Sequence, residues 1–253
     1  LTQGPKIEEF EHALAEYCDS KYAVAVCNGT AALHLANLAI GTDTTTNVIT
    51  TPITFLATAN SVIYAGGHPV FGDISDGSFT LDPKKVKELA VGETGFKGIM
   101  PVHLGGVVCD MEKLKEIADI HNLWIIEDAC HALGGKWIDK TGKTQIVGNC
   151  SHSDMTIFSF HPVKQITTGE GGAITTNNID IYEKLLSLRT HGMTKDADLL
   201  KENHGGWYYE MQNLGYNFRM TDIQAALGIE QLKRNDSWVK KRREIVQQYD
   251  DAF

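Results

Sequence analysis

The stretch MTIFSFHPVKQITTGEGGAITT, residues 155–176, places a lysine between two apolar runs. The runs 155–160 and 173–176 predict two core strands, and the loop between them carries Lys164 and a glycine-rich turn. A lysine at the mouth of a core sheet is poorly hydrated, so its ammonium should lose its proton more readily than in water. The neutral amine is a nucleophile that forms Schiff bases with aldehydes. The alternative is a solvated loop lysine, which is the common state of this residue.

Strand and helix patterns alternate along the rest of the chain. Short, continuously apolar runs predict core strands, and the segments between them have helical spacing or begin with helix-capping residues. The predicted strands are 22–26, 48–50, 70–71, 99–102, 123–126, 155–160 and 173–176, and the predicted helices include 10–17, 31–40 and 55–64. Apolar strands separated by helices are typical of a mostly parallel sheet covered on both faces. The predicted fold class is therefore α/β.

Four segments with polar or reactive side chains follow predicted strands. They are residues 28–31, residues 54–55, Asp128 and residues 159–164. In open α/β sheets, ligands bind at the carboxyl ends of the strands. The shared position of these segments predicts one site at that edge of the sheet.

Each candidate residue also has an ordinary structural alternative. The corner at Gly29 suits a phosphate, because free N–H groups and the helix dipole meet there, but Thr30 could equally be a plain helix N-cap. Asp128 could hold the nitrogen of a pyridine ring protonated, which makes the ring an electron sink, or it could cap a following helix. For His131 and Phe55 the alternative is packing in the core, and for Ser159 it is the end of a strand.

Composition and charge restrict the class of protein. The 253 residues are 42% hydrophobic and 22% charged, as in a globular chain with one large or two small domains. The net charge is −9 and the basic run 240–243 fits the solvated face of a helix, so nucleic acid is not an expected partner. Five cysteines without a C-x-x-C pair indicate reduced thiols in a cytoplasmic protein, and Cys150 with His152 is too small a set for zinc, so no metal is expected. No signal peptide and no apolar run near ~18 residues is found, so no membrane contact is expected.

Five sequence blocks resemble those of the DegT/DnrJ/EryC1/StrS family of sugar aminotransferases, in the family's order. The blocks are 28–34 (NGTAALH), 50–60 (TTPITFLATAN), 127–134 (EDACHALG), 159–164 (SFHPVK) and 215–226 (GYNFRMTDIQAA), and the resemblance runs from Leu1 to about Leu232. Members of this family use pyridoxal 5′-phosphate on the type I aminotransferase fold. The resemblance implies a large cofactor-binding domain over residues 1–235, with a mostly parallel seven-stranded sheet. It also implies a helix over 236–253 that leads to a C-terminal small domain absent from this chain.

The resemblance assigns roles to individual residues. Lys164 looks like the lysine that holds the cofactor as a Schiff base, and Asp128 like the partner of its pyridine nitrogen. His131 matches a position that contacts the ring hydroxyl, and Phe55 matches one that stacks on the ring. The phosphate-binding positions are matched by Thr30, Ala31 and Ser159. Asn217 matches a residue that reaches the phosphate bound by a neighbouring subunit, which implies a homodimer with shared sites. Two residues match positions near the nucleotide sugar: His161 and Arg219.

The activity that the resemblance implies is ping-pong transamination, with glutamate as the amino donor. Within the family, residues 1–4, 50–55 and 169–172 are most similar to the enzymes of pseudaminic acid biosynthesis. Those enzymes aminate C4 of a UDP-linked 4-keto-6-deoxy-N-acetylhexosamine, a precursor of cell-surface polysaccharide. The expected substrates are therefore this UDP-keto-sugar and glutamate.

Three other functions stay open on the sequence. A sugar dehydratase of the same family carries histidine in place of the Schiff-base lysine, and the presence of Lys164 argues against it. A non-catalytic protein on the same fold, such as a cofactor-responsive regulator, usually carries a DNA-binding module, and the sequence shows none. A cofactor-free Schiff-base aldolase would need neither the phosphate corner nor Asp128.

Overall fold

The computed structural model describes residues 3–92, 95–202 and 204–253, so Leu1 and Thr2, the start of the resemblance, lie outside the described residues. Its helices are α1 (Pro5–Cys18), α2 (Gly29–Ile40), α3 (Ala57–Tyr64), α4 (Pro83–Gly92), α5 (Met111–His121), α6 (Ile179–Arg189), α7 (Asp222–Leu232) and α8 (Asn235–Ala252), with a short 3₁₀ turn at Leu104–Gly106. Its strands are β1 (Tyr22–Val26), β2 (Asn47–Thr50), β3 (His68–Phe71), β4 (Phe96–Met100), β5 (Trp124–Asp128), β6 (Lys136–Ile138), β7 (Thr144–Ile146), β8 (Met155–Ser159), β9 (Gly172–Thr176), β10 (Met193–Thr194) and β11 (Glu210–Met211).

Within the described residues, seven strands form the main sheet, in the order β1-β9-β8-β5-β4-β2-β3. From β8 to β3 all neighbours pair in parallel, whereas β9 is antiparallel to both β1 and β8. All strands of the sheet except β9 therefore run the same way, and their carboxyl ends meet at one edge. The predicted mostly parallel sheet is confirmed.

The ends of several elements differ from the sequence prediction. Strand β4 stops at Met100, and Val102 makes only a single bridge to Asp128. Strand β5 extends through Asp128, and α3 begins at Ala57 rather than at Phe55. The apolar runs located the elements correctly but not their ends. Asp128 belongs to a strand, and Phe55 belongs to the loop before a helix.

Helices cover both faces of the sheet, as the continuous apolar runs require. Along β1, Ala23 and Ala25 pack in the cluster with α1, while Val24 and Val26 pack in the cluster with α2, because successive strand residues face opposite sides. A third cluster lies under α4 and α5, around Leu114. Burying one such leucine or phenylalanine side chain contributes roughly 1.5–3 kcal/mol of stability.

The free edge of β1 is closed by side chains from two helices. The Glu11 carboxylate accepts the N–H of Ala25 at 2.7 Å, and the Arg189 guanidinium donates to the Ala25 carbonyl at 2.7 Å. Arg189 and Glu11 also form an ion pair with each other. Beyond the strand, Cys27 donates its N–H to the carbonyl of Phe218 at 2.8 Å. These bonds satisfy backbone groups that a neighbouring strand would otherwise take.

Helix α8 packs on the domain through its first turns. The Tyr17 hydroxyl donates to Asp236 at 2.6 Å, the Asn235 amide donates to the Leu133 carbonyl at 3.3 Å, and Trp238 packs against the α1 cluster. The helix predicted over 236–253 is present, and its role as the lead to a further domain stays a prediction. Among the described residues, no helix combines the length and the apolar character that crossing a bilayer demands.

Candidate active site

A cavity of about 330 Å³ opens at the carboxyl ends of the parallel strands. That volume is in the range of small-molecule sites. The predicted site residues that line it are Thr30, Phe55, Asp128, His131, Ser159, His161 and Lys164. The predicted residues that do not line it are Ala31, Asn217 and Arg219. All four of the segments that follow strands thus contribute to one cavity.

The start of α2 forms one wall of this cavity. Its N-cap is Asn28, whose side chain accepts the N–H of Ala31 at 2.8 Å. The N-cap interpretation of Thr30 is therefore wrong, and the N–H of Ala31 is already occupied. A Cβ on Gly29 would lie 2.9 Å from the Cβ of Ser159, so only glycine allows α2 to approach β8 this closely. This corner brings the helix N-terminus and two hydroxyls together, which suits a phosphate.

Asp128 is the last residue of β5 and is 5% exposed. Its Oδ2 accepts the hydroxyl of Thr58 at 2.7 Å, and its Oδ1 accepts the N–H of Cys130 at 3.2 Å. The described residues 129–135 form turns, so the interpretation of Asp128 as a helix cap is wrong. Burial and then the Asp128 carboxylate raise the pKa of the Cys130 thiol well above its usual range, so the thiol stays protonated.

His131 forms part of the cavity wall and is not a core histidine. Its Nδ1 accepts the N–H of Gly105 at 3.3 Å, and its carbonyl accepts the side-chain amide of Gln165. Burial, followed by the positive charge of Lys164, lowers the pKa of the His131 imidazole below its ordinary value. The ring is therefore neutral at neutral pH, and one hydrogen bond holds the ring while another holds the backbone of the residue.

Lys164 is half-buried in the loop after β8, and its N–H closes a turn onto the carbonyl of His161 at 2.9 Å. It is therefore not a freely solvated loop lysine. Phe55 is 71% exposed at the mouth of the cavity, so its interpretation as a core aromatic is wrong. An exposed ring beside a cavity is available to cover a planar ligand.

Asn217 and Arg219 lie along the β1 edge, outside this cavity. Arg219 makes an isolated antiparallel bridge with Val26, and Asn217 makes one with Thr190. The side chain of Asn217 is exposed. Its predicted contact with a neighbouring subunit stays a prediction.

Several residues of the site were missed by sequence reasoning. Thr58 holds Asp128, and Val102, Cys130 and Glu170 line the cavity. Thr58 and Cys130 lie inside two of the family-like blocks, and Glu170 lies in the glycine-rich turn, so these had a signal. Gly105, which holds the His131 ring, had none.

The side chains present fit pyridoxal phosphate group by group. The cavity offers an amine for the aldehyde, a buried carboxylate for the pyridine nitrogen, an imidazole for the ring oxygen and a helix N-terminus for the phosphate. The close Gly29–Ser159 approach forms the cradle that the phosphate needs. A site with these groups, at the carboxyl edge of this sheet, indicates a pyridoxal-phosphate-dependent protein with the type I aminotransferase fold.

Comparison with known proteins narrows the class. The chain belongs to the DegT/DnrJ/EryC1/StrS aminotransferase family, whose model matches residues 1–253. It is 42% identical over 255 residues to the UDP-4-amino-4,6-dideoxy-N-acetyl-beta-L-altrosamine transaminase of Campylobacter jejuni serotype O:23/36, covering 100% of this chain and 63% of the relative. It is 43% identical over 250 residues to the GDP-perosamine synthase of Caulobacter vibrioides, covering 99% of this chain and 62% of the relative. The chain thus spans less than two thirds of the length of these relatives.

Solved structures share the fold and bear on the cofactor. PseC from Helicobacter pylori, an aminotransferase of pseudaminic acid biosynthesis, superposes with a TM-score of 0.87 at 34% identity, over 99% of this chain and 63% of that one. The PLP-form of Spr1654, a putative sugar aminotransferase from Streptococcus pneumoniae, superposes with a TM-score of 0.86 at 31% identity, over 100% of this chain and 65% of that one. The expected fold is confirmed, and so is pyridoxal phosphate as the cofactor.

Proposed function

We propose that the protein transfers an amino group from glutamate to C4 of a UDP-linked 4-keto-6-deoxy-N-acetylhexosamine. The observation that carries the proposal is that Lys164 and Asp128 line one cavity together with the start of α2. Family membership supports amino transfer to a sugar, and the name of the Campylobacter relative supports this class of sugar.

The residues of the cavity divide the work of binding. Thr30, Ser159 and the N-terminus of α2, which line the cavity, would hold the phosphate, and Phe55 would cover one face of the ring. When bound, pyridoxal phosphate supplies an electron sink that stabilises the negative charge left after an α-proton is removed. The Asp128 carboxylate would keep the proton on the ring nitrogen, and the hydrogen bond from Thr58 fixes that carboxylate.

Lys164 is the residue to which we assign proton transfer. Its amine would hold the aldehyde of the cofactor and, when not bound to it, would serve as the general base and general acid of the transfer. His131, whose Nδ1 accepts the N–H of Gly105, would offer Nε2 to the oxygen on the ring. A protein without this lysine would lack the shuttle, so the intact Lys164 favours amino transfer over dehydration.

The choice of UDP over GDP rests on local sequence. The two relatives described above act, by their names, on sugars of different nucleotides. Residues 1–4, 50–55 and 169–172 favour the UDP-linked sugar of pseudaminic acid biosynthesis. His161 lines the cavity and is assigned to the sugar nucleotide, and Arg219 is assigned with it from a position outside this cavity.

A product assay tests both the proposed reaction, which is amino transfer, and the proposed nucleotide, which is UDP. The protein is incubated with glutamate and a panel of UDP- and GDP-linked 4-keto sugars, and products are identified by mass and NMR, with Lys164→Ala as the blank. A 4-amino sugar formed from the UDP substrate is expected. Preference for a GDP sugar would overturn the nucleotide assignment, and a deoxygenated product without amine would indicate a dehydratase instead.

We further propose a homodimer whose subunits share their sites, with Asn217 reaching the phosphate of the partner. Its exposed side chain lies outside the cavity of its own chain, which leaves it available to a second copy. Mixing Lys164→Ala with Asn217→Ala subunits gives mixed dimers in which one site carries both changes. Random reassortment should restore roughly a quarter of wild-type activity. Mixed dimers without recovery would show that Asn217 serves its own subunit.

We place the protein in the cytoplasm. All five cysteines are free, and three of them, Cys18, Cys109 and Cys150, are buried. Free thiols persist in a reducing compartment. Fractionation of cells that express the tagged protein tests this, and recovery with secreted proteins would contradict it.

A further inference from the structure

A buried acid–base pair, His103–Glu127, stands behind the active site. The two side chains are 0% and 7% exposed, and Nε2 of His103 lies 2.7 Å from Oε2 of Glu127. The other carboxylate oxygen accepts the hydroxyls of Ser153 and Thr156. Among the described residues, neither member of the pair lines the cavity. Burying such groups costs free energy, and packing alone does not explain them.

His103 is fixed on every polar atom that it offers. Its backbone N–H donates to the carbonyl of Asp128 at 3.0 Å, and its Nδ1 accepts the N–H of Cys109 at 3.2 Å. Because Nδ1 accepts, the ring proton is on Nε2 and is donated to Glu127. The pair therefore ties the loop after β4 to the end of β5, next to the catalytic aspartate.

That loop contacts His131 directly. Gly105 and Gly106 have φ values of +60° and +90°, which other residues rarely adopt. The N–H of Gly105 donates to Nδ1 of His131 at 3.3 Å. A Cβ on Gly106 would lie 3.1 Å from the carbonyl oxygen of His131, so the two backbones touch.

The contact decides which ring nitrogen of His131 carries the proton. A nitrogen that accepts a hydrogen bond cannot hold the proton of a neutral imidazole, so the Gly105 N–H places it on Nε2. Nε2 is the ring position left for a ligand in the cavity. In the other tautomer, the ring would offer an acceptor there and would repel an oxygen anion.

We propose that the His103–Glu127 pair is a positioning device that holds His131, through Gly105, in the Nε2–H tautomer. The identity of the oxygen that receives this hydrogen bond rests on the proposed function, since it belongs to the bound cofactor. Neither His103 nor Glu127 touches the reacting atoms. Both act by fixing the turn that fixes His131.

The test uses the apo protein, in which no turnover is needed. Ring ¹⁵N chemical shifts of labelled histidines report the tautomer, and His131→Gln identifies the signal. Wild-type His131 should be a single Nε2–H tautomer. Glu127→Gln and His103→Leu should each produce a mixture, whereas His103→Gln, which keeps a side-chain donor for Glu127, should restore most of the Nε2–H form.

Glu11→Gln is the matched control, because it neutralises a buried carboxylate at the far edge of the sheet. It should leave the His131 tautomer unchanged. In the holoenzyme, Glu127→Gln should lower kcat about tenfold with KM unchanged, the pattern of an interaction realised in the transition state.

Three results would overturn the proposal. These are a proton on Nδ1 of wild-type His131, an unchanged tautomer in folded Glu127→Gln protein, and an equal effect of Glu11→Gln. If Glu127→Gln or His103→Leu fails to fold, the wild-type tautomer and the His103→Gln spectrum still decide. A missing amino-sugar product with the expected tautomer would instead count against the proposed function alone.

Discussion

Two buried acid–base pairs, Glu11–Arg189 at the sheet edge and Glu127–His103 behind the active site, are alike in burial and different in task. Their glutamate side chains are 9% and 7% exposed. The edge pair binds the backbone of Ala25, whereas the inner pair binds a loop that touches a cavity residue. A guanidinium is always charged and its fork is rigid, while an imidazole can exchange tautomers. By this comparison, the edge pair stabilises a strand, whereas the inner pair has the role proposed above, which is to set the tautomer of His131.

Lys164→Ala should have the largest effect on turnover. It tests whether this residue contributes to activity and not to stability. Removal of the proposed general acid–base should lower kcat by about 10²–10⁴-fold. Lys164 makes no hydrogen bond to a buried group through its side chain among the described contacts, so the urea midpoint should stay near wild type. Turnover is measured with glutamate and the keto-sugar. Wild-type turnover in this variant would remove Lys164 from the mechanism.

Glu11→Ala tests the edge pair. It leaves the partly buried Arg189 charge, whose side chain is 14% exposed, without its partner. Breaking a buried pair in this way should lower the free energy of unfolding by about 3–5 kcal/mol. Urea denaturation measures the loss, and turnover per folded molecule should be unchanged.

The matched control for that variant is Glu8→Ala, an exposed glutamate on the same helix. Its free energy of unfolding should stay within about 0.5 kcal/mol of wild type. Equal losses in the two variants would show that the edge pair has no special weight. A fall in turnover per folded molecule with Glu11→Ala would contradict the separation of the edge pair from the active site.

Thr58→Val sharpens the role of supports inside the site. It removes the hydroxyl that donates to Asp128 while keeping the shape of a fully buried side chain. A hydrogen bond to a charged group contributes about 1.5–3 kcal/mol, so kcat should fall roughly 10- to 100-fold. Ser61→Ala, on the same helix, removes a buried hydroxyl that bonds the Thr58 carbonyl instead. Equal turnover losses in both variants would mean that Thr58 acts only through packing.

The smallest effect is a shift in the titration of His131. Burial and the charge of Lys164 lower its pKa, so its NMR midpoint in the apo protein should lie below the ordinary value of about 6.5. The unfolded chain then takes up a proton before the folded one, so the contribution of the neutral ring is full above about pH 6.5 and is lost below it. Lys164→Ala should move the midpoint upward. A midpoint above the ordinary value, or a downward move, would contradict this account.

Local patterns predicted the sheet, and they predicted the cavity only where the residues follow strands. The run that ends at Asp128 located β5 and its site because a parallel strand is continuously apolar and then stops. The N-cap interpretation of Thr30 was wrong because Asn28 and Thr30 can both cap a helix, and only backbone geometry shows that Asn28 does so. The contacts of Thr58 with Asp128 and of Gly105 with His131 join residues that are 70 and 26 positions apart. Such pairings arise from the packing of the whole chain, so no local pattern predicts which two residues will meet.

The two outer strands of the sheet are both poor templates for aggregation. On β1, the N–H and carbonyl of Ala25 are already taken by side chains. On β3, His68 and Gly72 donate toward β2, so the alternate residue Pro69 faces outward, and proline has no N–H to give. Amyloid-like growth needs a row of free donors and acceptors on an exposed strand. A concentrated solution of the folded domain should therefore resist fibre formation, as long as α1 and α6 keep Glu11 and Arg189 on the β1 edge.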